Sequence, residues 1–232
     1  MSENTIFVKK YAPDEKRLPV NEQEIWRYSG YMGLKENVDE ELKKLLEQVI
    51  KELRNAFSYK VCYRRMELSW QGDTPDLPFE AKSKDLAKCL RGSSEVILFA
   101  ATIGLEIDRL IARYQRFAPT RALLMQAYGA ERVESLCDCF CKEIAHQVIQ
   151  EGLSCTPRFS PGYGDLPLNT QIEMFRLLDC NRQIGIALSE SLLMTPSKSV
   201  TAIFGLGACV GSQRQHKCET CGKTNCEFRQ TQ

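Results

Sequence analysis

The spacing of apolar residues along the chain predicts several amphipathic helices. Helices are expected over residues 22–30, 38–57, 105–117, about 120–150 and about 169–179, because apolar positions there recur with the helical period of about 3.6 residues. In the longest of them a single apolar stripe contains Val133, Leu136, Cys137, Phe140, Ile144 and Val148. Asn21, followed three residues later by Glu24, has the spacing of a capping box and predicts where the first helix begins.

Other segments have the patterns of strands. SYKVCYRRMELSW (58–70) alternates between apolar and polar residues, and the turn-rich QGDTPDLP (71–78) after it predicts a loop. EVILFAAT (95–102) is a continuous apolar run, which is typical of a buried strand, and IALSESLLM (186–194) and SVTAIFGLG (199–207) are also strand-like. Because strands and helices do not strictly alternate, we predict an α+β fold with a mostly antiparallel sheet.

Composition limits the class of protein. With 232 residues, 43% of them hydrophobic, the chain is long enough for one large domain, and we assign residues 1–210 to it and 211–232 to a cysteine-rich tail. Its helical N-terminal part is expected at about 20–57. A formal net charge of +1 favours neither nucleic acid nor an anionic membrane as a partner. The chain starts without a signal-like segment, and no apolar run is long enough to span a bilayer, so we expect a cytoplasmic protein.

Eleven cysteines in such a chain indicate reduced thiols, metal ligands or an anaerobic host, and we favour the last two. In the tail, Cys218, Cys221 and Cys226 have a C-x(2)-C-x(4)-C spacing, whose first half is that of a zinc knuckle. His216 or Cys209 is the candidate fourth ligand. Zinc is favoured over an iron-sulfur cluster, and exposed reduced thiols are the alternative interpretation.

Cys137, Cys139 and Cys141 form a second group that cannot bind one metal ion. On a helix, Cys137 and Cys141 share a face, while Cys139 points to the opposite side. We therefore predict that these three thiols pack in the core.

The segment PRFSPGYGDLPL (157–168) is the strongest candidate for a ligand site. Pro157 and Pro161 impose extended backbone on the residues before them, and Pro161-Gly162 suits the central positions of a type II turn. Arg158 can clamp a carboxylate, the extended main chain can read a flat heteroaromatic ring, and Tyr163 can face a positive centre. S-adenosylmethionine carries all three groups. On these residues alone an ordinary surface loop is the favoured interpretation, and the ligand site is the alternative.

A family resemblance favours the ligand site. RFSPGY, the run ESLLMTPSKSV and the upstream segments AATIGLEIDRLI and AERVESLCDCF occur in the order found in the S-adenosylmethionine-binding reactivation domain of cobalamin-dependent methionine synthase. The opening WRYSGYMG is similar to that of stand-alone, single-domain members. The resemblance covers residues from about 20 to 210. It implies a C-shaped α+β domain with a twisted antiparallel sheet and a shallow ligand groove.

The resemblance also implies roles for particular residues. Arg158 would hold the methionine carboxylate, the main chain of Arg158, Phe159 and Ser160 would meet the adenine, and Gly162 and Tyr163 would lie close to the ligand. Glu134 is the candidate for the ligand ammonium, with a solvated helix face as the alternative. No protein nucleophile is implied, because the methyl group passes from the sulfonium to cobalt.

The implied function is the reductive methylation of inactive cob(II)alamin on a separate methionine synthase, with flavodoxin or ferredoxin as the electron donor. No corrin-binding D-x-H-x-x-G pattern occurs in the chain, and Gly164-Asp165-Leu166-Pro167 replaces the P-A-C-P type sequence of the long members. Reactivation of another corrinoid methyltransferase and a non-catalytic scaffold with a metal-binding tail are the alternatives.

Overall fold

Seven α-helices surround a five-stranded antiparallel sheet in the computed structural model, which describes residues 8–31 and 39–208. The helices are α1 (Glu22–Tyr28), α2 (Glu40–Leu53), α3 (Lys84–Leu90), α4 (Glu106–Tyr114), α5 (Pro119–Ile149), α6 (Thr170–Leu178) and α7 (Cys180–Ile184). The strands are β1 (Lys9–Tyr11), β2 (Lys60–Glu67), β3 (Ser69–Gln71), β4 (Thr74–Asp76), β5 (Glu95–Thr102), β6 (Ser154–Cys155), β7 (Ala187–Leu188), β8 (Met194–Thr195) and β9 (Ser199–Gly207). The predicted α+β class with an antiparallel sheet is confirmed.

The main sheet has the order β1-β2-β5-β9-β6, and both of its faces are covered. Ile97 and Phe99 of β5 contribute to a core shared with α1, α2, α4 and α5, whereas Val96 and Leu98 contribute to a second core with α3, α6 and α7. Successive strand residues point to opposite faces, so a strand covered on both sides must be apolar at every position. This explains the continuous apolar run that predicted β5.

Helix α5 packs its predicted apolar stripe against the sheet. All six residues of that stripe are buried, and the ring of Phe140 lies 5.0 Å, centre to centre, from that of Phe99. The start of α1 is also as predicted, because the Asn21 side chain accepts a hydrogen bond from the Glu24 N–H at 3.3 Å. Helix α2 is shorter than expected and ends at Leu53.

The predicted strand over 58–70 is confirmed over Lys60–Glu67 but does not continue to residue 70. The chain leaves the main sheet after Glu67, and the N–H of the buried Leu68 donates to the carbonyl of Ser94. Strand β3 then pairs with β4 in a separate two-stranded sheet, so part of the predicted 71–78 loop is a strand. The indole of Trp70 donates to the carbonyl of Ser93 at 2.9 Å, which explains the change of direction by a tertiary contact.

The segment 186–194 is also not a single strand. Two residues at each end pair as β7 and β8, and the chain between them reverses through Leu192, whose φ is 62°. The hydroxyl of Ser189 accepts a hydrogen bond from the Leu193 N–H and closes this turn. The short elements α3, α7, β1 and β6 had no sequence prediction.

The structure bears on the membrane prediction only for the described residues, and the predicted metal site in the tail lies outside them. Within residues 8–31 and 39–208, no helix is both long and apolar enough to cross a membrane. The tail residues proposed as metal ligands, Cys209, His216, Cys218, Cys221 and Cys226, lie outside the described part of the chain, as does the predicted boundary between 210 and 211.

Candidate functional site

The segment 157–168 begins as an extended strip beside β9. The N–H of Phe159 donates to the Ile203 carbonyl at 2.7 Å, and its carbonyl accepts from the Ile203 N–H at 2.8 Å. Just before it, the N–H of Thr156 donates to the Gly205 carbonyl. The extended backbone that the two prolines predict is therefore present, and it lies against the sheet.

A tight turn follows this strip. The Tyr163 N–H donates to the Ser160 carbonyl at 3.2 Å, and Gly162 has a φ of 87°. These features fit the predicted type II turn, in which the third residue needs a positive φ. The side chain of Tyr163 at the end of the turn is 69% exposed, so its ring is accessible to a ligand or partner.

Arg158 points from the strip toward α5 and meets two carboxylates. Its Nη2 lies 2.5 Å from Glu134 Oε2 and 3.0 Å from Asp138 Oδ1. The arginine side chain is 13% exposed, and its buried Nη1 has no hydrogen-bond partner among the described residues. Burial by itself lowers the pKa of Arg158, but the surrounding acidic groups outweigh it, so the net shift is upward and the guanidinium stays charged.

The structure thus brings together Arg158, which was predicted to hold the ligand carboxylate, and Glu134, which was predicted to hold the ligand ammonium. Glu134 is 41% exposed and remains partly open to solvent beside Arg158. Asp138 had no sequence prediction, although it lies four residues after Glu134 and such a spacing places both side chains on one helix face. One guanidinium between two carboxylates leaves an excess of one negative charge.

The adenine-binding prediction for the main chain of 158–160 needs a correction at Phe159. Both main-chain polar groups of Phe159 already bond to Ile203, and the Ser160 carbonyl accepts from Tyr163. An antiparallel bridge uses the N–H of a residue and one lone pair of its carbonyl oxygen, so the Phe159 N–H cannot donate to a ligand in this conformation. A main-chain donor to the adenine is therefore expected at Arg158 or Ser160, and the second lone pair of the Phe159 carbonyl can still accept.

Helix α1 packs against α5, the helix that carries Glu134 and Asp138. Burial, and then the charge of Glu134, raise the pKa of Tyr28 to about 12, so this phenol is neutral and lies within the electrostatic reach of Glu134. The guanidinium carbon of Arg27 lies 4.2 Å from the centre of the Tyr28 ring. Tyr28 lies within the WRYSGYMG segment, but no role in the site was predicted for it, because its position relative to Glu134 depends on how α1 packs on α5.

The three thiols of α5 were predicted to pack in the core; one is fully buried and the other two are partly buried against it. Cys137 is fully buried in the first core, and burial raises the pKa of its thiol. Cys139 lies 3.2 Å from the hydroxyl of Tyr11, and Cys141 is partly buried against the same core. Among the residues that the structure describes, no group of three or more His, Cys, Asp or Glu side chains is placed to hold a metal ion.

Comparison with known proteins identifies the family of this chain. A family model described as "Vitamin B12 dependent methionine synthase, activation domain" matches residues 84–227. The chain belongs to this family. The matched residues include Arg158, Glu134 and Tyr163, and they extend past residue 210 into the segment that the sequence set apart as a tail.

A solved structure, the "Crystal Structure of the MetH Reactivation Domain bound to AdoHcy", resembles the activation domain described above with a TM-score of 0.66. The alignment covers 87% of this chain and 79% of that chain at 15% identity, which shows a shared fold. A search of the curated proteins found no match. Helices α1 and α2 lie outside the family match, yet α1 packs directly on the helix that carries Glu134.

Proposed function

We propose that this activation domain binds S-adenosylmethionine against the Arg158–Tyr163 segment and offers its methyl group to a cobalamin held by a separate methionine synthase. Membership of the family supports the reaction class. The solved relative with the same fold is named as bound to S-adenosylhomocysteine, the product that remains after such a transfer. The observation that carries the proposal is the contact between Arg158 and Glu134, since together they complement a zwitterionic amino-acid group.

Arg158 would bind the ligand carboxylate through Nη1, which has no hydrogen-bond partner among the described residues; because this atom is buried, the side chains around it would have to move to admit the ligand. A carboxylate arriving there satisfies a buried donor, which is otherwise costly to leave unpaired. Glu134 and Asp138 would then accept hydrogen bonds from the ligand ammonium. The excess negative charge of these three side chains matches the single net positive charge of S-adenosylmethionine.

Bound S-adenosylmethionine supplies an electrophilic methyl group on a sulfonium. The protein would hold this group in position and exclude other geometries, because the reacting atoms belong to the ligand and to the partner's cobalt. Tyr163 is the candidate to face the cation with its exposed ring. One electron is needed to reduce cob(II)alamin before it accepts the methyl group, and we propose flavodoxin or ferredoxin as the donor.

Calorimetric titration with S-adenosylmethionine tests the binding step. Arg158→Ala should weaken affinity roughly tenfold to hundredfold, as expected for the loss of a charge-assisted clamp. Arg176→Ala removes an arginine from an exposed ion pair with Glu173 and is the matched control, with unchanged affinity expected. An Arg158→Ala protein that binds as tightly as wild type would show that Arg158 is not the clamp. A wild-type protein that does not bind would favour the non-catalytic scaffold.

A reactivation assay tests the transfer. Purified chain, S-adenosylmethionine and a reductant are added to methionine synthase in the cob(II)alamin state, and the absorption spectrum reports formation of methylcobalamin. Conversion that requires this chain supports the proposal. Conversion with another corrinoid methyltransferase, but not with methionine synthase, would assign the chain to that partner instead.

A further inference from the structure

Asp165 connects the turn that follows Arg158 to the start of α3, which is far from it in the sequence but adjacent in space. Its carboxylate accepts a very short hydrogen bond from the hydroxyl of Ser83 and further bonds from the N–H groups of Lys84 and Asp85, at 2.8 and 3.2 Å. Ser83 is also the N-cap of α3, since its hydroxyl accepts from the Leu86 N–H. Asp165 therefore completes the capping of α3 from a position some 80 residues further along the chain.

The same turn approaches α3 closely at Gly164 and shares a core with it at Leu166. A Cβ at Gly164 would lie 2.4 Å from a carboxylate oxygen of Asp85, so glycine allows the close approach of the turn to the helix. Leu166 is buried in the second core together with Leu86. Tyr163 itself is mostly exposed, and few neighbours restrict its ring.

We propose that Asp165 is a positioning residue, which holds residues 160–166 on α3 and so keeps Tyr163 in the orientation that binds the ligand. This inference rests on the proposed S-adenosylmethionine site. Tyr163 is two residues before Asp165, whose three hydrogen bonds connect the turn to the start of α3. The turn also has internal hydrogen bonds, from the Gly162 N–H to the Leu166 carbonyl and from the Leu166 N–H to the Tyr163 carbonyl. Those internal bonds preserve the shape of the turn but do not fix where it lies.

A double-mutant cycle with calorimetric titration of S-adenosylmethionine tests this role. Asp165→Ala should weaken affinity about fivefold to tenfold. If Asp165 acts through Tyr163, the Tyr163→Ala protein and the Tyr163→Ala/Asp165→Ala protein should bind with the same affinity. Asp165→Asn keeps a side-chain oxygen that can accept from Ser83, and it should restore part of the lost affinity.

Asp108→Ala is the matched control. The Asp108 carboxylate also accepts from a serine hydroxyl and a main-chain N–H, both of Ser197, so its loss disrupts a comparable loop contact elsewhere. We expect a similar change in melting temperature and no change in affinity for S-adenosylmethionine. Hydrogen exchange of the 160–166 amides should become faster in Asp165→Ala and not in Asp108→Ala.

The outcomes separate this inference from the proposed function. Unchanged affinity of Asp165→Ala, or additive losses in the cycle, would overturn the positioning role while the binding site stands. A wild-type protein that fails to bind S-adenosylmethionine would overturn both. An equal loss of affinity in Asp108→Ala would show a general effect of loosened structure and would also overturn the inference.

Discussion

The buried ion pair between Glu131 and Arg132 should be the most sensitive electrostatic feature of the fold. The Arg132 side chain is 1% exposed, and its Nε and Nη2 each lie 2.6 Å from a carboxylate oxygen of Glu131. Its Nη1 and Nη2 also donate to the carbonyls of Leu18 and Pro19 at 2.7 and 2.8 Å. These bonds attach the segment before α1 to α5, one turn from Glu134.

Arg132→Met keeps much of the side-chain length but removes all of these donors. It leaves Glu131, whose side chain is 2% exposed, without its guanidinium in a site that solvent cannot reach. Breaking a buried ion pair in this way costs about 3–5 kcal/mol in the free energy of unfolding. Glu131 still accepts hydrogen bonds from Ser135 and from the Asn21 N–H in this variant. Because these bonds partly compensate the unpaired charge, we expect a loss near the lower end of that range.

Urea denaturation followed by circular dichroism measures this cost, with an unchanged slope indicating that the unfolded state is unaltered. Arg176→Met, in the exposed pair with Glu173, should change stability by less than about 0.5 kcal/mol. Glu131→Gln/Arg132→Met removes both charges and should recover much of the loss. A loss below about 1 kcal/mol in Arg132→Met, or a double mutant as unstable as the single one, would refute the reasoning.

Two further predictions concern close packing and pH. Gly205→Ala should destabilise the protein by about 1–3 kcal/mol in urea denaturation, because the new Cβ would lie 2.0 Å from Ser93 Oγ and 2.8 Å from its Cβ. Ser93→Gly should restore part of the loss, and no rescue would point to another cause. The hydrogen bond from Ser83, followed by those from main-chain N–H groups, holds the pKa of Asp165 below its ordinary value. The ionised carboxylate of Asp165 should therefore stabilise the fold above about pH 4, and this stabilisation should disappear as the pH falls through the lower pKa of the folded state. Stability curves of wild type and Asp165→Asn should therefore differ at neutral pH and converge in acid, and a difference that stays constant with pH would contradict this assignment.

The long elements could be predicted because their patterns are local. The stripe on α5 repeats over a helix of 31 residues, and β5 is apolar at nearly every position, so the period alone identifies both. The short elements could not be predicted in this way. Helix α3 has seven residues, and its start is completed by Asp165 from another part of the chain. The break in the predicted 58–70 strand depends on Trp70 meeting Ser93.

Some features of the candidate site are local and could be predicted, whereas others depend on contacts between distant parts of the sequence. The type II turn at Pro161-Gly162 and the extended strip before it follow from local backbone preferences, so the sequence alone predicts them. The family membership likewise follows from motifs in the order of the chain. The partners of Arg158 come from α5, and pairing with Ile203 occupies the main chain of Phe159.

By itself, then, the sequence determined the class of fold, the family and the backbone shape of the candidate ligand segment, since each follows from local patterns or from the order of motifs along the chain. Tertiary structure alone decided that Arg158 meets two carboxylates, that α1 packs on the helix that carries Glu134 and that Asp165 caps α3. The physical reason is that charge pairing and capping depend on distances in space, and residues 24 and about 80 positions apart become neighbours once the sheet and α5 have packed.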